Sequence, residues 1–86
     1  MFTEEDMVTQ ITMEIARALG FGDGDVPAAI NEGHAAIVLG VKPSTLANWR
    51  CTGRYNLPFI KSGRLVRYRV VDLAAWIASR RLGGEG

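Results

Sequence analysis

Between Asn31 and Gly53, two short apolar segments are bracketed by residues that start and stop helices. Asn31 is a strong N-cap for a helix over Glu32–Leu39, with Ala35, Ala36 and Leu39 facing inward. Gly40 ends that helix and Val41 fills the turn. Pro43 suits the first position of a second helix running through Arg50, and Gly53 supplies its stop. A chain of 86 residues has room for one small domain, so this helix pair with its tight turn must lie at the centre of it.

The segment after the pair is equally constrained. Leu57-Pro58 breaks helical continuation. Phe59-Ile60-Lys61 and Leu65-Val66-Arg67-Tyr68-Arg69 are rich in β-branched and aromatic residues, with Ser62-Gly63 between them, which predicts a hairpin. Alternation puts Val66, Tyr68 and Val70 on its inner face, and Leu65, Arg67 and Arg69 on the other. A last helix is expected from near Asp72 to about Arg81, burying Leu73, Trp76 and Ile77, with Arg80 and Arg81 at the negative end of its dipole. Ahead of the pair, Thr3 and Asp6 make a capping box for a helix from about Glu4 to Leu19. Its apolar stripe is Met7, Val8, Ile11, Ile15, Ala18 and Leu19, and Gly20 ends it. Residues 21–25 carry no period and read as a loop, whose aspartates lack the ligand spacing of a calcium loop.

The fold class is therefore mainly α with a small β-hairpin: a winged helix-turn-helix preceded by an extra N-terminal helix. Residues 1–30 are expected to form that helix and a loop, 31–82 the winged helix-turn-helix, and 83–86 a frayed tail.

The net charge of +1 conceals an asymmetry. Residues 1–40 hold seven acids and one base, a net of −6, whereas residues 41–86 hold nine bases and two acids, a net of +7. No acid occurs from Val41 to Val71. A polyanion partner for the basic half explains this distribution; an ordinary solvated surface is the alternative.

Several classes are excluded. With 48% apolar and 22% charged residues the chain is not a disordered tail. No apolar run approaches the roughly 20 residues of a membrane span, and MFTEEDM is acidic where a signal peptide is basic. Cys51 is the lone cysteine, so there is no internal disulfide, and a lone thiol with a lone histidine makes no zinc site. Cys51 also lacks a neighbouring base or acid in sequence, so no nucleophilic constellation forms around it. The expectation is a cytoplasmic, non-enzymatic domain with no catalytic residue, metal or cofactor.

On the second helix of the pair, Leu46 and Trp49 must pack inward. This turns Ser44, Thr45 and Asn48 outward, small polar residues that can approach base edges in a major groove. Lys42, Arg50 and Arg54 flank that face where phosphates would run, and Lys61, Arg64, Arg67 and Arg69 crowd the hairpin. Tyr55 has two readings, packing and a phosphate hydrogen bond. Trp49, Trp76 and Tyr68 read as core, His34 as a solvated helix position and Cys51 as a small apolar residue at a helix end.

The segments AAIVLGVKPSTLANWR and GRYNLPFIKSGRLVRYRVVDLAAWIASRR closely resemble the excisionase-type helix-turn-helix domains of the MerR superfamily, the small AlpA-like and Xis-like proteins of prophages and integrative elements. The resemblance runs from about Asn31 to Arg81. It includes Leu39-Gly40-Val41, Thr45-Leu46, Trp49, Leu57-Pro58, Gly63, Val66-Arg67-Tyr68, Asp72-Leu73 and Trp76. It implies a recognition helix at Pro43–Arg50 and a wing at Phe59–Arg69. Two positions depart from the family pattern: Lys42 replaces a small polar N-cap, and Val71 replaces a serine, leaving Asp72 to cap the last helix.

The resemblance implies double-stranded DNA as partner and an excisionase function. Such a protein, a recombination directionality factor, shapes DNA beside a recombination site so that an integrase excises a mobile element. An AlpA-like transcriptional regulator would use the same surface. A protein-interaction module with no DNA target is the reading from another class. The acidic N-terminal helix lies outside the resemblance. Its Met7, Val8, Ile11 and Ile15 either pack onto the domain as a further core element or link copies head-to-tail on tandem sites.

Overall fold

The computed structural model describes residues 3–21 and 27–83. Helix α1 (Glu4–Ala18) begins at the expected box: the Thr3 amide donates to Asp6 Oδ2 and the Asp6 amide to Thr3 Oγ1, both at 3.1 Å. It closes with the Phe21 amide donating to the Ala16 carbonyl at 2.9 Å. Most of the loop expected over residues 21–25, both its aspartates included, and nearly all of the tail expected over 83–86 lie outside the described residues.

Strand β1 (Ala29–Asn31) leads straight into helix α2 (Glu32–Leu39), with Asn31 Oδ1 accepting from the His34 amide at 2.7 Å. Gly40, at φ 71, takes the left-handed conformation that turns the chain, and the Val41 amide returns to the Ala36 carbonyl at 3.0 Å. Helix α3 (Pro43–Thr52) starts with proline in its first turn, and Lys42 makes no side-chain cap. It runs two residues beyond the expected end. Strands β2 (Ile60–Ser62) and β3 (Leu65–Arg69) form the hairpin, and Ser62 pairs with Leu65, so Gly63 and Arg64 make its turn.

Two features differ from the expectation. The hairpin is part of a three-stranded antiparallel sheet ordered β1-β3-β2, in which Ile30 pairs with Tyr68. Three residues are too few to show a two-residue period, and Asn31 reads as a cap rather than as strand. The boundary expected at residue 30 thus falls within a strand of the winged unit. Helix α4 (Val70–Gly83) also begins directly at the end of β3. Asp72 consequently sits in its first turn, where it complements the dipole, and is not its N-cap.

The core joins every one of these elements except β2, whose three residues are exposed. Leu46, Tyr68, Leu73, Ala74 and Ala78 are at most 1% exposed, and Ile11 and Ile15 of α1 join them at 3%. Met7 and Val8 are half-buried against the same cluster. The apolar stripe of α1 packs along α4, which buries Ile11 and Ile15, so of the four residues considered for linking copies only Met7 and Val8 keep apolar surface exposed. Exposed apolar area on a short domain is costly, and α4 is where this chain removes it from water.

Candidate nucleic-acid interface

The recognition helix is presented by its own periodicity. Leu46 is fully buried and Trp49 half-buried against the core, so α3 sits with Ser44 and Asn48 exposed and with Thr45 and Ala47 at the half-buried margin. Lys42 stands exposed at the N-terminus of α3. The outward face is therefore small and polar, with a cation beside the helix end.

Behind this face lies a polar contact that sequence reasoning missed. Glu32, in the first turn of α2, accepts from Arg50 Nε at 3.0 Å and Arg50 Nη2 at 3.3 Å, and from the Tyr68 hydroxyl at 2.8 Å. One carboxylate thereby joins α2, α3 and β3. The Arg50 hydrogen bond holds the Glu32 carboxyl below its ordinary range, and the same bond raises the Arg50 guanidinium. Burial, with the bond to Glu32 second, pushes the Tyr68 hydroxyl well above the usual phenol range. Arg50 also lies 5.9 Å from the centre of the Phe59 ring. Arg50, expected as a phosphate contact, has its charge paired with Glu32 here, and through that carboxylate it ties the recognition helix to the wing strand. The available signal was that Glu32 is the lone acid between Asp25 and Asp72, facing a long basic stretch.

The remaining bases are disposed differently. Lys61, Arg64 and Arg69 are exposed on the hairpin. Arg67 is half-buried, and its Nη1 donates to the Val66 carbonyl at 3.2 Å, so its guanidinium lies back along its own strand. Arg54 and Tyr55 fall in a tight turn after α3, outside both α3 and the hairpin, with Arg54 5.2 Å from the centre of the Tyr55 ring. Tyr55 packs edge-on against Trp49, with ring centres 4.8 Å apart, and remains 37% exposed. His34 and Cys51 are exposed. Arg50–Glu32 is the one ion pair among the described side chains, and Lys61, Arg64 and Arg69 have no acid partner among them.

Polar α3 and a basic hairpin, fixed to one another through Glu32, define a winged helix-turn-helix protein. The chain belongs to the helix-turn-helix domain family, a family of DNA-binding proteins, whose model matches residues 33–81, more than half of the chain. No curated protein and no solved structure gives a significant match. The matched segment begins inside α2 and takes in α3, the hairpin and most of α4. It leaves out α1, which the core nevertheless requires. Among the described residues no helix is long and apolar enough to cross a membrane, and no three His, Cys, Asp or Glu side chains are gathered for a metal.

Proposed function

We propose that this DNA-binding protein is an excisionase, a recombination directionality factor that occupies sites beside a recombination site and biases an integrase towards excision. The observation that carries the reading is the pairing of a small polar recognition face, Ser44, Thr45 and Asn48, with a wing whose exposed Lys61, Arg64 and Arg69 have no acid partner among the described residues. Such a surface binds and shapes a duplex and offers no group for chemistry, so the bond breaking belongs to the integrase. The close likeness of residues 31–81 to the excisionase-type domains points the same way. Action in the cytoplasm, without enzymatic activity, metal or cofactor, belongs to this proposal. Neighbouring copies on tandem sites would meet head-to-tail with charged surfaces carrying most of the contact, since Ile11 and Ile15 of α1 are buried in the core.

The test is recombination in vitro with the integrase of a mobile element that carries this protein and a substrate with that element's junctions. Excision that rises on adding the protein, with integration unchanged or falling, supports the reading. Unchanged excision, with repression from a promoter carrying the same binding site, contradicts it and assigns the surface to an AlpA-like regulator.

A further inference from the structure

Tyr55 adopts φ 67 and ψ 1, and Asn56 after it φ 53. Asparagine visits the left-handed conformation readily, but a bulky residue such as Tyr55 holds it only when its surroundings enforce it, and such strain gathers at functional positions. Here α4 supplies the enforcement. Trp76 Nε1–H donates to the Tyr55 carbonyl at 3.0 Å, and Arg80 Nη2–H donates to the same oxygen at 3.3 Å.

The strained turn brings two cations to one ring. The Arg54 guanidinium carbon lies 5.2 Å from the centre of the Tyr55 ring, and that of Arg80 lies 5.4 Å from it. Arg80 also stacks over Trp76 at 4.5 Å. Attraction to the aromatic faces holds each guanidinium group in a fixed place. Neither has a carboxylate partner among the described residues. A pair of ordered guanidinium groups with free donors fits an anion that offers several oxygens, and a phosphodiester does so.

The pair sits directly beyond the C-terminal end of α3, which Gly53 closes. We propose that Arg54 and Arg80, ordered by Tyr55, form a phosphate-binding pair that takes the DNA backbone beside the groove entered by α3. Arg80 belongs to neither the recognition helix nor the wing, so this is a third point of contact, supplied by α4. The inference rests on the reading that α3 faces a duplex.

The rival role for Arg80 is a brace for the turn, which would affect stability but not counterion release. Salt dependence separates the two, because each phosphate contact contributes about 0.9 to the slope of log affinity against log salt. Binding of the full-length protein to one duplex is measured from 50 to 200 mM salt for the wild type, R80Q, R80K and R54Q, with a thermal melt of each as a check on folding. R80Q and R54Q should each lower the slope by about 0.9, a salt-induced loss of affinity about fourfold smaller over that range, while R80K keeps the wild-type slope. Wild-type slopes in folded R80Q and R54Q overturn the proposal. If R80Q does not fold, R54Q decides alone, since Arg54 is exposed and outside the core. A wild type that shows no salt-dependent binding to duplex overturns the DNA-facing reading itself, an outcome distinct from the other two.

Discussion

The Tyr68 hydroxyl donates to Glu32 Oε2 at 2.8 Å, tying the wing strand to the first turn of the helix before the recognition helix. Tyr68 is 1% exposed, so its hydroxyl has no water to fall back on, and the carboxylate satisfies it. Tyr68→Phe keeps the ring and removes the bond. It should cost about 1.5–3 kcal/mol in urea denaturation, as for a hydrogen bond to a charged acceptor. A loss below a few tenths would mean the contact is dispensable.

The same carboxylate sets a pH dependence. The folded Glu32 carboxyl is held below its ordinary value of 4.5, chiefly by Arg50. Its contribution to stability is therefore complete above that value and is lost as pH falls towards the folded value. Glu32→Gln should be less stable than wild type near neutrality, with the difference shrinking on acidification below about pH 4.5. Parallel stability curves from pH 6 to pH 3 would contradict this.

Helix α1 belongs to the core and not to an appendage. Ile15→Ala should cost about 2–5 kcal/mol, whereas Met13→Ala, at a position 53% exposed, should fall within about 0.5 kcal/mol of wild type. Removing residues 1–20 should unfold the winged unit, as read by circular dichroism. A truncated protein that melts like the full chain would contradict the packing on α4.

The contact proposed for the wing differs in kind from that proposed for α3. Arg64 stands exposed in the hairpin turn, so Arg64→Ala should weaken binding to all duplexes alike and lower the salt slope by about 0.9. Arg67 is bonded to the Val66 carbonyl, so Arg67→Ala should change the slope less than Arg64→Ala does. The order of the two slopes, measured by fluorescence anisotropy, decides.

Much of this arrangement was legible in the residues because its signals are local. Thr3 with Asp6, Asn31, Gly40, Pro43 and Gly53 each fix a helix end through their own backbone or cap chemistry, and each acts where it was expected. The alternation placed Val66 and Tyr68 inward and Leu65 and Arg69 outward as found, but Arg67 is half-buried and Val70 opens α4 instead of continuing the strand. What escaped was non-local. The pairing of Ile30 with Tyr68 joins residues far apart in the chain. Arg50 reads as a phosphate ligand until Glu32, 18 residues earlier, is brought against it. The turn at Tyr55 carries no glycine to announce its positive φ, and the groups that enforce it lie on α4.

The central claim is that α3 reads DNA sequence through its exposed polar face. The most direct measurement is selection of duplexes from a random pool by the wild type, and then affinities of wild type and Asn48→Ala for the enriched site and for unrelated DNA. The account predicts that Asn48→Ala costs about 1–3 kcal/mol on the enriched site and little on unrelated DNA. A pool that emerges without a common motif, or an equal loss on both kinds of DNA, would contradict it.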